Sequence, residues 1–577
     1  MNRRFKIIIQ ILILLILLYT PAFAEEYNFV VLGDSQLENL EVFERIISSA
    51  ELLQPALVLH VGDMIVGYTE SRDKLMEQWK RFKEQIAPLT MPFYPAPGNH
   101  DVTTTFTETV YQEIWGPNSL YYGVIYRNTR FIFLDTFLKG SSETITEEQL
   151  EWLQGELEQN KNTRHIFITF HSPLHLSGEY DWEPVHALLK QYPVRAVFTG
   201  HSHVFDHLER DGIRYFCLNS SGTIPCNNHA TGYSYHFLHV AVRGEELSYA
   251  VMTDEGIYPP EAVPHREYSR ARRYMGKDAT IIIPNPSKGA IRQTIALDIE
   301  NRTDETRDFT VRWITDDYRW TCEPWERRIS VKPGTTAAPS FVINGPQGVF
   351  MRTQLPKFRV DSPFRNGAGY ETTLSHYYAL FAPPETTACE VRGDITFDGR
   401  LDEAAWREAP FFDTLFIDRA DTPAADKTIV KVLYDDTDLY IGIQGVEPTP
   451  KGLVARAHGD LPLVFSDDSY EVYLDPGRTL DTFYRIAVNS VGAMLTWGPE
   501  GFQTIDCRVG VSVDEDSWSA ELSIPFDEIG GKKPSPGDSC GMNIRRIRLQ
   551  ANPTVAEWSR MRGFPAQPEY FGIVRFE

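Results

Sequence analysis

From residue 26 onward the hydrophobic and polar positions switch between two periods. "YNFVVLGD" and "ALVLHVGD" are short apolar runs that stop at Gly33-Asp34 and Gly62-Asp63. Such runs, without polar alternation, predict strands covered on both faces. Between them Leu40, Phe43, Ile46, Ile47 and Ala50 recur at helical spacing, and a second amphipathic stretch covers 72–87. "PFYPAPGNHD" predicts a strand entering a loop, and "RFIFLDTF", "HIFITFHSP" and "VRAVFTGHSH" predict further strands. "TEEQLEWLQGELEQ" predicts a helix opened by a capping box of Thr146 and Gln149. Strand and helix alternating to about residue 255 predict an α/β domain.

After residue 277 the helical period fades. "QTIALDIEN" and "DFTVRWIT" predict a small β-sandwich over 277–384, similar in a general way to bacterial immunoglobulin-like modules and assigned a spacer role. "FAPPETTACE" is a Pro-rich linker, and strands such as "IVKVLYDD", "SYEVYLDP" and "SWSAELSIP" predict a larger β-sandwich over 388–577. The opening "MNRRFKIIIQILILLILLYTPAFAEE" has Arg3, Arg4 and Lys6 before a short apolar run, then Ala22-Phe23-Ala24. That predicts a signal peptide over 1–24, and with it export to the periplasm, the cell surface or the medium. A membrane association would arise only if this segment stayed uncleaved. The α/β domain then covers 25–275.

Charge and cysteines narrow the picture. The net charge of −23 argues against a nucleic-acid scaffold as partner, since such proteins present a basic footprint. Six cysteines in an exported chain allow disulfides, with Cys217–Cys226 the closest pair and Cys507–Cys540 within one domain, but none has zinc-ligand spacing.

Polar residues collect where the N-terminal strands end, the place at which open α/β sheets bind ligands. They are Asp34 and Gln36 in "GDSQ", Asp63 in "GDM", Asn99, His100 and Asp101 in "GNHD", His171 in "FHSP", and His201 and His203 in "GHSH". Carboxylate, amide oxygen and imidazole are ligands for Mn, Fe or Zn. In that order the motifs resemble the calcineurin-like metallophosphoesterase family over about 230 residues. The resemblance implies two mixed sheets flanked by helices and two divalent metal ions acting on a phosphate ester. It implies that Asp63 bridges both metals, that Asp34, Gln36 and His203 complete the first site, and that Asn99, His171 and His201 complete the second. Two cations about 3.5–4 Å apart lower the pKa of a shared water, which attacks phosphorus in line. His100 is then expected to protonate the leaving oxygen, with Asp101 orienting its ring.

One position departs from the family. Asp-x-His is usual at the first motif, and here it is Asp34-Ser35-Gln36, which weakens that site or shifts it toward a harder ion such as Mn. Val66 stands three residues after Asp63, where purple acid phosphatases place a tyrosine, which argues against a tyrosinate–iron site; Tyr68 is too far along to replace it. His60 reads as a core histidine, His175 as a pocket or loop residue, and "NSSGT" at 219–223 as a turn.

The last 190 residues or so resemble a family 9 carbohydrate-binding module through "GDITFDGRLDEAAW", "LVFSDDSYEVYLDP" and "YFGIVRFE". The resemblance implies that Phe465 and Trp558 wall a sugar site with Glu471 as a polar contact, and that Trp406 and Trp518 are core. A multidomain chain follows: an α/β metallophosphoesterase sandwich, then two β-sandwich domains. The expected function is an exported phosphoesterase tethered to polysaccharide. The alternative is a non-catalytic surface glycan-binding protein with a weakened first domain.

Overall fold

The computed structural model describes residues 26–69, 71–138, 143–177, 180–223, 228–348, 355–391, 393–418, 422–457, 464, 467–499, 501–502, 504–549, 554–559 and 567–577. The segment 1–24, expected to be a signal peptide, and Cys226 and Phe465 therefore lie outside the described residues. Among the described residues no helix is long and apolar enough to cross a membrane.

The N-terminal domain is built from two mixed six-stranded sheets. In the first, Glu26–Leu32 runs parallel to Leu57–His60, which runs parallel to Phe93–Pro95, while Phe237–Arg243 pairs with Glu26–Leu32 antiparallel. In the second, Thr129–Phe133, His165–Thr169, Val194–Thr199 and Ile213–Cys217 are mutually parallel in that order. The facing surfaces bury an aromatic seam: the Phe29 ring meets Phe131, Phe167 and Phe198 at centroid separations of 5.2, 5.0 and 6.0 Å. Helices cover the outer faces. Leu40–Leu52 and Arg72–Ile86 press Phe43, Ile47, Leu75 and Phe82 onto the first sheet, and Glu147–Gln159 presses Leu153 and Leu157 onto the second. Strands covered on both faces explain the unbroken apolar runs.

One capping detail differs from expectation. Thr146 Oγ1 does accept from the Gln149 N–H, but the Gln149 side chain turns inward. Its Oε1 accepts from Asp135 N and its Nε2 donates to Asp135 O, both at 2.7 Å. Buried in the core, that amide satisfies a strand-end backbone that water cannot reach, and this outranks the cap.

After the helix Glu267–Tyr274 the chain is β-rich. Residues 279–381 form a five-stranded sheet with three-stranded and two-stranded companions around Phe309, Val311, Phe341 and Phe358. In the C-terminal domain the strand Glu385–Glu390 pairs along its first half with Gly572–Phe576 and along its second with Thr428–Tyr434. It thereby joins the two sheets of a sandwich whose core stacks Tyr470 on Trp518 at 3.8 Å. Trp406 and Trp518 are both buried there. The whole chain is multidomain, with an α/β N-terminal part followed by β-rich domains. Cys217, Cys322, Cys507 and Cys540 are free thiols, so the pair Cys507–Cys540 is not a disulfide.

Candidate active site

The parallel strands end side by side, and their loops are fastened to one another. Ser35 and Gln36 N–H groups donate to the Asp63 carbonyl at 3.0 and 3.1 Å, joining the first two Gly-Asp loops. The turn at 219–223 fixes Asp34 from behind: Ser221 N donates to Asp34 O at 2.7 Å, Ser220 Oγ donates to the same oxygen at 3.0 Å, and Ser221 Oγ accepts from Gly33 N at 2.9 Å. The turn thus supports the strand end.

Asp34, Asp63 and His171 are all buried. Asp63 Oδ2 lies 3.2 Å from His171 Nε2, and Asp34 Oδ2 lies 2.9 Å from His203 Nε2. Asn99 Oδ1 sits 3.0 Å from His171 Nε2 and 2.9 Å from His201 Nδ1. Asp63, His171 and His201 form one cluster of donors, and Asp34, Asp63 and His203 a second, each within 4.8 Å and sharing Asp63. Several of these residues hold the left-handed backbone: Gln36 at φ 47°, Asp63 at 60°, His201 at 68° and His203 at 50°. That strain costs energy and persists because the surrounding bonds enforce it.

These residues fit a pair of divalent cations. A Cβ on Gly98 would meet Asp63 Oδ1 at 2.3 Å, and one on Gly200 would meet Asp34 Oδ1 at 2.3 Å, so only glycine leaves both carboxylates their space. Two buried carboxylates, three imidazoles and the Asn99 oxygen converge there, and buried charge of this kind is paired or coordinates metal. Burial works against a charged His171, yet Asp63 and Asp34 raise it to about 9. Burial likewise opposes the Asp63 charge, but His171 and then His100 hold that carboxyl below its ordinary range. The His171 ring is set from outside by Val61 O, 3.0 Å from Nδ1, which leaves Nε2 facing inward.

Three residues stand differently from expectation. Gln36 does not turn its amide oxygen to the cluster; its Nε2 donates to Asp63 Oδ2 at 2.9 Å, making it a partner of the shared carboxylate. Asp101 does not touch the His100 ring. Its carboxylate accepts backbone N–H groups from Asp63, Met64 and Gly98 at 2.8, 2.9 and 3.0 Å, because the left-handed turn at Asp63 aims those donors at one buried acceptor. Burial and the Asp63 charge push Asp101 up to about 8, against the pull of those donors. The group that orients His100 is the Val66 carbonyl, 2.7 Å from Nδ1, and this places Nε2 at 3.9 Å from Asp63 Oδ2.

Residues 27–205 match the family model for calcineurin-like phosphoesterase. Residues 397–576 match the model for the carbohydrate family 9 binding domain-like family. The chain is 28% identical over 130 residues to "Probable glycerophosphodiester phosphodiesterase GpdQ" of Arcobacter nitrofigilis, a match covering 22% of this chain and 45% of that protein. It is 24% identical over 131 residues to a "Probable cyclic nucleotide phosphodiesterase" of Coxiella burnetii, covering 22% of this chain and 49% of that one. The match thus spans about half the length of these curated relatives. Among solved structures, a family 9 carbohydrate-binding module from Caldicellulosiruptor kristjanssonii in complex with cellotriose matches with a TM-score of 0.27 at 14% identity, covering 33% of this chain and 93% of that one.

Sequence reasoning missed two neighbours of the phosphoesterase site. Glu143 Oε1 lies 3.4 Å from His201 Nε2, and its Oε2 accepts from Ser172 Oγ at 3.1 Å. Tyr68 OH accepts from Asn99 Nδ2 at 2.6 Å. Neither belongs to a motif, and each reaches the site from a loop. His60 falls as expected: it is a core residue against Phe82 and Phe93, with Nδ1 accepting from Gly62 N. His175 packs against Tyr215 and Trp182, away from the cluster.

In the C-terminal domain Trp558 and Glu471, the two expected sugar contacts among the described residues, do not stand open to a ligand. Trp558 is 4% exposed and stacks on Phe412 at 4.2 Å, so it offers no open wall; its flat indole completes the core beneath a sheet edge. Glu471 is buried with Oε1 accepting from Arg485 at 2.6 Å and Oε2 from Tyr473 OH at 2.5 Å. Both of its oxygens are already engaged inside the protein.

Proposed function

We propose that this chain is an exported, metal-dependent phosphoesterase that hydrolyses a phosphomonoester or phosphodiester, with its C-terminal domain holding it near glycan. We assign it a signal peptide over 1–24, a phosphoesterase domain over 25–275, a spacer over 277–384 and a glycan-directed module over 388–577. The observation that carries the reading is the pair of donor clusters sharing Asp63. Two divalent cations held there (Mn, Fe or Zn) would lower the pKa of a water and neutralise charge on the phosphate oxygens. Asp63 would contact both, Asp34 and His203 one, and Asn99, His171 and His201 the other. His100 would give its Nε2 proton to the leaving oxygen while Nδ1 keeps its proton, hydrogen-bonded to the Val66 carbonyl, so the ring ends neutral and still oriented. The names of the two relatives support a diester.

One observation favours the non-catalytic glycan-binding alternative. The Gln36 amide donates to Asp63 Oδ2 and so competes with a cation for that oxygen. The decisive experiment strips the full mature chain of metal, reloads it with Mn or Zn, counts bound metal by mass spectrometry and follows nitrophenyl phosphate and bis-nitrophenyl phosphate. Asp63→Asn is expected to lower metal content and cut turnover by on the order of a hundred-fold or more. His100→Ala is expected to cost alkyl esters about a hundred-fold more than nitrophenyl esters, because only the alkoxide needs a proton. Full turnover in Asp63→Asn with two metals bound would sink the reading. Failure of the wild type to bind two metals would favour the alternative.

A further inference from the structure

The Asn99 amide has two ends, and only one can serve a cation. Its oxygen faces His171 Nε2 and His201 Nδ1 at 3.0 and 2.9 Å. Rotated by half a turn, it would set N–H donors against ring nitrogens that must present lone pairs, and no cation could be shared there. Carbon geometry alone does not choose between the two, because amide oxygen and nitrogen have nearly the same size. A flipped amide could take the phenol's own proton, so the inner end sets the preference, and the Tyr68 phenol oxygen, 2.6 Å from Nδ2, holds the amide with its oxygen inward by accepting the N–H.

Tyr68 is built into that place. Gly67 and Tyr68 both take left-handed backbone, at φ 64° and 47°, and a Cβ on Gly67 would lie 1.7 Å from the His100 carbonyl oxygen. The Gly67 N–H is held at 2.8 Å by Gln78 Oε1 on the helix Arg72–Ile86. The loop therefore lies directly over His100, with the Tyr68 ring edge-on to the imidazole at 4.6 Å between centroids. Yet the side chain is 60% exposed, so packing does not explain why a non-glycine residue accepts this conformation.

We propose that Tyr68 is a positioning residue: its phenol oxygen captures the Asn99 N–H and so turns the Asn99 carbonyl oxygen to the second cation. This rests on the two-cation reading above. A supporting partner of this kind typically changes metal affinity by about 10–100-fold when removed. A carboxylate at position 99 has no wrong end, so the dependence on Tyr68 must vanish in Asn99→Asp.

The test is a calorimetric Mn titration of the metal-stripped full chain, with melting temperatures as a control for folding. The wild type is expected to bind two equivalents. Tyr68→Phe, which keeps the exposed ring, is expected to melt as the wild type does, leave one equivalent unchanged, and bind the other about ten-fold or more less tightly. In the Asn99→Asp background the same Tyr68→Phe change should alter that affinity less than about two-fold, since a shared mechanism makes the two changes non-additive. Unchanged affinity in Tyr68→Phe, or an equal loss in both backgrounds, would overturn the proposal. Fewer than two equivalents in the wild type would instead overturn the two-cation reading, before any variant is considered.

Discussion

Asp101 shapes the site at the scale of one residue without reaching its centre. Its two oxygens gather the N–H groups of Asp63, Met64, Ile65 and Gly98, and so set the backbone from which the Asp63 side chain projects. Asp101→Asn replaces one acceptor oxygen by an NH2 group that faces donors it cannot pair. A buried N–H left in that state costs about 1–3 kcal/mol. The variant is expected to melt several degrees lower and to lose activity on alkyl and nitrophenyl esters alike. A carboxylate that merely oriented His100 would behave differently: its loss would spare the melting temperature and penalise alkyl esters alone. Calorimetry and paired ester kinetics on one preparation separate the two.

At the scale of elements, the strands and the convergence of the polar residues at their ends were legible because both follow from local pattern. Apolar runs ending in Gly-Asp, Gly-Asn or an isolated His predict a covered strand and a polar loop, and Asp34, Asp63, Asn99, His171, His201 and His203 converge as that predicts. What could not be read were roles set by long-range hydrogen bonds. The Val66 carbonyl reaches His100 across 34 positions, and Ser220 reaches Asp34 across 186. No spacing rule encodes such pairs, and a carbonyl has no residue signature. The C-terminal sandwich shows the same limit: its strands alternate visibly, whereas the burial of Glu471 and Trp558 depends on strands far along the chain. Glu521 gives that sandwich a testable titration. It is buried, accepts from Trp406 Nε1 and Gly399 N at 2.7 Å each, and ties the 393–406 segment to the strand Ser517–Pro525. Burial, with Glu403 and Asp398 nearby, pushes it up to about 7 from an ordinary value of 4.5, despite those two donors. The folded state thus binds the proton more tightly than the unfolded one. This contribution is fully present below pH about 4.5 and is lost as pH rises through about 7. Glu521→Gln is therefore expected to flatten the pH dependence of the C-terminal melting transition over that range. A slope identical to the wild type's would assign the dependence to other groups.

At the scale of the whole molecule, the middle domain is docked onto the phosphoesterase domain. The turn between the strands Lys357–Arg365 and Glu371–Phe381 inserts Asn366, whose Nδ2 donates to Ala230 O at 3.0 Å and Ala262 O at 2.7 Å. Gly367 N donates to Glu267 Oε2 at 3.2 Å, and Tyr370 meets the stacked pair of His229 and Tyr258 edge-on. The anchored segment continues toward the site, since Gly232 O accepts from Phe205 N at 2.8 Å, two residues after His203. Asn366→Ala leaves two buried carbonyls without this donor, at about 1–3 kcal/mol for each such group. It is expected to lower the melting temperature of the phosphoesterase domain by several degrees and leave the C-terminal transition in place. It is also expected to loosen the segment behind His203, raising the metal concentration needed for half-maximal turnover by a few-fold. The second effect separates a docked support from a passive spacer, because a spacer would transmit neither change. The consequence for tethering follows from the same bonds. These bonds hold the middle domain against the N-terminal one, so the reach from the site to the C-terminal sandwich, and with it the effective concentration at a surface, is set at the segment after Phe381. Lengthening the segment between Phe381 and Glu385 with glycine and serine should then change turnover on surface-bound ester while leaving turnover on soluble ester unchanged.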